Sequence, residues 1–143
     1  MAFRNPSDEA IRDMLADART LAVVGASSNP SRPSHGVFGY LLRVGYHAIP
    51  VNPREREVAG VPAVARLADI GEPVDIVIVF RRAEETPPVA REAVAIGAKA
   101  LWLQLGIVHE EAARVAEEGG LRVVMDLCSA VEHRRLGVTN HKS

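Results

Sequence analysis

With 143 residues, 17 Lys+Arg against 18 Asp+Glu and a net charge of −1, the chain has the length of one domain. It has no overall electrostatic bias towards nucleic acid or an acidic membrane surface. Apolar residues at 48% and charged residues at 24% give an ordinary globular mix, and aromatics at only 4% leave the core to Val, Leu, Ile and Ala. No apolar run approaches the roughly 20 residues of a membrane helix, and the N-terminus lacks the apolar stretch of a signal peptide. Cys128 is the single cysteine, which excludes an internal disulfide and a Cys-based zinc site. The expectation is a soluble, cytoplasmic, single domain over residues 1–143.

Asn5 or Ser7 is placed to cap a first helix carrying Ile11, Met14, Leu15 and Ala18, with Asp8 and Glu9 in its first turn. The first strand follows as Leu21-Ala22-Val23-Val24, then a helix over about 35–44 that stops at Gly45. Ala48-Ile49-Pro50-Val51 reads as the second strand, and a short helix is predicted over 64–70, ending at Gly71. The third strand is Val74-Asp75-Ile76-Val77-Ile78-Val79-Phe80. A helix over about 84–96 tolerates Pro87 and Pro88 in its first turn and is followed by Gly97. Ala100-Leu101-Trp102-Leu103 is the fourth strand, a helix over 109–118 terminates at Gly119-Gly120, and Val123-Val124-Met125 is the fifth strand. The segment from about 130 to 143, with Arg134, Arg135 and Lys142, is expected to be partly loose. Most of the strands are apolar at consecutive positions, as in strands covered on both faces. The alternation predicts an α/β fold of three layers, with a doubly wound, mainly parallel sheet of five strands.

In such a sheet ligands bind beyond the carboxyl ends of the strands, where the strand order reverses. The loop after the first strand is Gly25-Ala26-Ser27-Ser28-Asn29-Pro30-Ser31-Arg32-Pro33-Ser34-His35-Gly36. A dinucleotide fingerprint would need glycine at Ser27 and Pro30, and the Walker pattern lacks its Gly-Lys-Ser/Thr. What remains suits phosphate: Gly25 for close backbone approach, Ser27, Ser28, Ser34 and helix-start N–H groups as donors, and Arg32 as a charge. The same residue types also make a plain surface loop with a helix cap.

The second strand runs into Asn52-Pro53-Arg54-Glu55-Arg56. Asn52 stands where an NAD-binding domain usually places a carboxylate for the adenosine ribose, and Arg54 and Arg56 favour a phosphate on that ribose instead. NADP (2′-phosphate) and coenzyme A (3′-phosphate) both meet this demand; the bland alternative is two solvated charges interleaved with Glu55 and Glu57. Phe80-Arg81-Arg82, at the end of the third strand, suits an adenine pocket, although a Phe at this place more often belongs to the core. Gln104 is expected near the same rim and Trp102 in the packing.

No catalytic residue is assigned. Gly25-Ala26-Ser27 is not a nucleophile elbow. His35, His47, His109, His133 and His141 lack metal-motif spacing, so no metal site is expected. Cys128, just past the fifth strand, reads as a packing residue near the rim, and Asp126 as a ligand-orienting or capping group.

These motifs have a precedent. Val24-Gly25-Ala26-Ser27 with Pro30, Arg32 and Ser34 is followed by Val51-Asn52-Pro53-Arg54, Val74-Asp75-Ile76-Val77 and Val79-Phe80-Arg81-Arg82. Trp102-Leu103-Gln104-Leu105-Gly106, Val124-Met125-Asp126-Leu127-Cys128 and Glu132-His133-Arg134-Arg135-Leu136 complete the order. The combination resembles the small stand-alone CoA-binding proteins with a Rossmann-like fold, which are similar to the N-terminal CoA-binding domain of the succinyl-CoA synthetase α subunit. The resemblance implies that loop 25–35, with Gly25, Ala26, Ser27, Ser28, Arg32, Ser34 and His35, holds the CoA pyrophosphate. It implies that Asn52, Pro53 and Arg54 serve the ribose and its 3′-phosphate, with Phe80 and Arg81 beside adenine. The synthetase subunit has a second domain bearing a phosphorylated histidine; no such domain is expected here, so ligase activity is not carried over. The expected function is therefore non-catalytic binding of CoA or acyl-CoA, compatible with a homo-oligomer. The competing readings are an NADP-binding reductase or redox sensor, and an assembly partner whose pocket stays empty.

Overall fold

A computed structural model describes residues 3–139 of the chain. The Ser7 hydroxyl accepts the Ala10 N–H at 3.1 Å and so caps α1 (Asp8–Asp17), with Asp8 and Glu9 in the first turn, where the helix dipole favours acid. Ile11, Met14 and Leu15, spaced three and four residues apart, turn one side of this helix into the core. Next come β1 (Thr20–Val24), α2 (Pro33–Arg43) and β2 (His47–Val51), then the short strands β3 (Glu57–Val58) and β4 (Val61–Pro62). The remainder is β5 (Ile76–Val79), α3 (Thr86–Ala95), β6 (Ala100–Leu103), α4 (Glu110–Glu118), β7 (Arg122–Val124) and α5 (Ser129–Arg135).

Five strands form one parallel sheet in the order β2-β1-β5-β6-β7, with register pairs such as Val24↔Val51, Val24↔Val79 and Ile78↔Trp102. Alternate residues of each strand serve two separate cores, which is why the strands are apolar at consecutive positions beyond their first residues. Leu21, Val23, Ile76, Ile78 and Trp102 pack with Leu15 of α1, Phe38 and Leu41 of α2, and Leu136 beyond α5. On the opposite face Ala22, Val24, Val77, Val79, Leu101 and Leu103 pack with Ala90 and Ala93 of α3 and Ala112, Ala113 and Ala116 of α4. The α/β, three-layer, doubly wound parallel sheet is the predicted architecture.

Two local expectations are corrected and one element is added. Residues 64–70 do not form a helix: Val64 bridges in parallel to Val51, its N–H donating to Pro50 O at 3.0 Å, and only Leu67–Asp69 form a 3₁₀ turn. β2 is an edge strand whose outer backbone groups need partners, and the chain supplies them there instead of coiling. The β3–β4 hairpin escapes the apolar pattern because its strands are two residues each, joined through Ala59 and Gly60 at φ 51° and 80°. The segment from about 130 is docked where described. α5 buries Ala130, Glu132 and His133, and Arg135 reaches Glu132 at 2.6 Å and Asp8 at 2.9 Å. Residues 140–143, including His141 and Lys142, lie outside the described residues.

Candidate functional site

The chain leaves β1 to build β2 on one side and returns to β5 on the other, so the loops after β1 and β5 diverge at the sheet's C-terminal rim. A single glycine closes that point. Gly25, at φ +89°, donates its N–H to Val51 O at 2.9 Å, while the Phe80 N–H bonds Val24 O at 2.8 Å. A methyl group on Gly25 would sit 2.3 Å from Phe80 O, so no other residue fits without moving a strand end. Above it opens a cleft of about 540 Å³, lined by Gly25, Ser27, Arg32, Pro33 and Ser34 from the first loop and Asn52, Arg54 and Glu55 from the second. Phe80, Arg81, Arg82 and Glu85 complete it beyond β5, with Ile107 from the loop after β6.

The first loop is organised by its own side chains. Ser27 Oγ accepts the Asn29 N–H at 3.0 Å, Asn29 Oδ1 accepts from the Ser31 N–H and hydroxyl, and the His35 ring nitrogen Nδ1 bonds Ser27 O at 3.0 Å. The second loop is an Asx turn: Asn52 Oδ1 accepts the Arg54 N–H at 2.9 Å, and Asn52 Nδ2 donates across to Ala26 O at 2.9 Å. Asn52 thus ties the two loops together. A second tie runs from the Ser28 N–H to Glu55 Oε2 at 3.0 Å. That N–H, with the hydroxyls of Ser28 and Ser27, outweighs burial and holds the Glu55 carboxyl below its ordinary value.

Charge in the cleft is unevenly spent. Glu85 lies 4.0 Å from Arg81 and 3.6 Å from Arg82, so those guanidinium groups are at least partly countered. Arg32 and Arg54 have no carboxylate within 4.0 Å among the described residues. No side chain caps α2, whose first turn, with Pro33 and Ser34, faces the cleft. The rim therefore offers two unpaired cations and an uncapped helix start, a setting that favours an anion.

Gly25, Ser27, Arg32, Ser34, Asn52, Arg54, Phe80 and Arg81 come together in this cleft as the sequence suggests. Ala26 is fully buried beneath the loop, Ser28 is exposed and faces Glu55, and His35 supports the loop from α2. Pro53 lines a neighbouring slot of about 270 Å³ with Val24, Val51, Leu67 and Val89, and Arg81 and Glu85 belong to both spaces. Arg54 lines the main cleft and Arg56 does not. Arg82, read only as part of the segment after β5, also lines the cleft, and sequence reasoning missed Glu85 and Ile107; only the four-residue spacing of Arg81 and Glu85 offered a signal.

Other rim residues serve the scaffold. Gln104 is buried and its Oε1 accepts the Ser129 N–H at 3.0 Å, which removes it from the rim surface. Trp102 is fully buried and donates Nε1–H to Leu127 O at 2.7 Å. Asp126 Oδ1 accepts the Gly106 N–H at 2.7 Å, and Cys128, half-buried, does not line the cleft. Among the described residues no group of three His, Cys, Asp or Glu is placed to hold a metal ion, and no helix is long and apolar enough to cross a membrane.

An uncharacterized protein of Bacillus subtilis, YneT, is 45% identical over 131 residues, covering 92% of this chain and 97% of that protein. A hypothetical protein from Pyrococcus horikoshii superposes with a TM-score of 0.90 at 35% identity, over 95% of this chain and 98% of that one. The acetate–CoA ligase (ADP-forming) II subunit alpha of Pyrococcus furiosus is 29% identical over 140 residues, 89% of this chain but 31% of the longer subunit. The CoA binding domain family matches residues 19–134. With its open rim, glycine-floored cleft and this match over most of its length, the chain belongs to the CoA binding domain family.

Proposed function

We propose that the protein binds coenzyme A or an acyl-CoA by its 3′-phosphorylated ADP moiety and does so as a binding protein rather than a catalyst. One observation carries this: Arg32 and Arg54, from loops on two different strands, line one cleft with no carboxylate within 4.0 Å of either among the described residues. A charge-assisted bond to phosphate is worth about 1.5–3 kcal/mol, and two unpaired guanidinium groups on one crevice favour a ligand with phosphate at two places. The pyrophosphate lies over Gly25, Ser27 and the start of α2, and the ribose 3′-phosphate meets Arg54. Adenine enters the slot between Pro53, Leu67 and Val89, with the Arg81 guanidinium beside its ring.

The reading as a binder draws on how the polar groups of the first loop are used. His35 uses Nδ1 on the Ser27 carbonyl oxygen, and Ser27 Oγ accepts a backbone N–H. That arrangement builds a cradle and leaves the hydroxyl unactivated by this ring nitrogen. Calorimetric titration tests the proposal, with native mass spectrometry of freshly purified protein to identify any nucleotide carried along. CoA should bind as one molecule per chain and NADPH should give no heat. Saturable NADPH binding without a response to CoA would overturn it.

A further inference from the structure

The cleft wall carries a negative charge beside the loop on which its proposed ligand rests. Glu55 lines the same wall as Arg54, and its Oε2 accepts the Ser28 N–H at 3.0 Å. A backbone N–H in a loop of this kind is a group that a phosphate oxygen would use. A carboxylate there supplies a competing acceptor and repels the incoming charge.

The loop does not depend on Glu55 for its shape. Asn52 already joins the two loops through Ala26 O. Ser27, Asn29 and Ser31 fold the first loop internally, His35 braces it from α2, and the Gly25 N–H anchors it to Val51 O. Five independent contacts thus hold the cradle when the Glu55 bond is removed. Glu55 also takes the Ser27 and Ser28 hydroxyls, and its charge acts on the anion side of the cleft.

We propose that Glu55 is a built-in counter-anion and the residue that sets ligand affinity: it occupies the Ser28 N–H in the free protein, and the ligand's phosphate displaces it. This rests on the assignment of the cleft to a phosphorylated ligand. A neutral ligand gains nothing by displacing a carboxylate. A polyanion that also reaches Arg32 and Arg54 does, so Glu55 lowers the affinity for small single anions and leaves the cleft to ligands with several phosphates.

Glu55→Gln isolates the charge, because its amide oxygen still accepts from Ser28. Calorimetry of the wild type and of this variant with CoA and with inorganic pyrophosphate should show both binding about tenfold, or 1.4 kcal/mol, more tightly to the variant, with cooperative unfolding retained. Glu55→Ala, which removes the acceptor as well, should show the same gain and so guards against a peculiarity of the amide. Unchanged or weaker CoA binding in both variants would overturn the proposal and make Glu55 a clasp for the loops. Failure of the wild type and both variants to bind either ligand would instead sink the phosphate assignment, and this inference with it.

Discussion

Gly25 and Asn52 do different work from the arginines beside them. Gly25 lets the end of β1 pass against the Phe80 carbonyl at φ +89°, and Asn52 uses both ends of its amide to close one turn and reach the next loop. Neither is needed for its charge, whereas Arg32 and Arg54 make sense only for theirs. Gly25→Ala is therefore expected to cost about 1–3 kcal/mol of unfolding free energy, read by denaturant titration, and to weaken CoA binding because the cleft floor must shift. An unaltered midpoint and unaltered affinity would show that the close approach relaxes freely. Residues of these kinds are legible in a sequence, since a glycine, an amide and two arginines in rim loops each have few alternative uses. Glu55 was less so. It lies in a run of alternating charges, Arg54-Glu55-Arg56-Glu57, and only the Asx turn made by Asn52 decides that Arg54 and Glu55 line the cleft while Arg56 does not.

Elements set where those residues meet. β1 and β5 are pinned at their N-terminal ends by Asp75, whose Oδ2 accepts the Arg19 and Thr20 N–H groups at 2.8 and 3.0 Å. Burial pushes the Asp75 carboxyl up, but those two N–H groups and Lys99 more than offset it and hold it below its ordinary value. A carboxyl lowered by folding contributes stability that is fully present above the unfolded carboxylate range and is lost as pH falls through the native value. Asp75→Ala should cost about 2 kcal/mol at neutral pH, and the difference from wild type should shrink on acidification. A gap in unfolding free energy that stays constant down to acid pH would contradict this role. The five long strands and four of the helices were visible because their apolar periods differ and their ends carry caps, such as Ser7 before α1 and Gly45 after α2. The segment 64–70 has a helical period but lies beside an edge strand, and long-range pairing to β2 prevails. α5 was missed because its polar face, with Glu132, Arg134 and Arg135, reads as a solvated tail; the partner that docks it, Asp8, is 127 residues away from Arg135.

At the level of the whole molecule, the fold supplies a crevice and the loops supply the chemistry. A parallel sheet with both faces covered leaves its C-terminal rim as the place where backbone donors converge. Changing sides between β2 and β5 opens that rim at β1. The first loop brings Arg32, the second brings Arg54, and the β5 end brings Phe80 and Arg81 to the same space of about 540 Å³. The sequence nominated these loops because ligands in a doubly wound sheet bind beyond the carboxyl ends of the strands, while the strand order that brings them to one space is seen only in the fold. The division of the space into a polar cleft and an apolar slot around Pro53 was not implied. It depends on where residues 63–67 return along β2, and nothing local encodes that.

The most direct measurement is a four-way calorimetric cycle of wild type and Arg54→Ala with CoA and 3′-dephospho-CoA. The wild type should prefer CoA by about tenfold, or 1.4 kcal/mol, and the variant should bind both ligands equally, so that losing the arginine and losing the phosphate have the same consequence. Equal affinity of the wild type for the two ligands, or a preference for CoA that survives in Arg54→Ala, would contradict a cleft in which Arg54 reads the ribose phosphate.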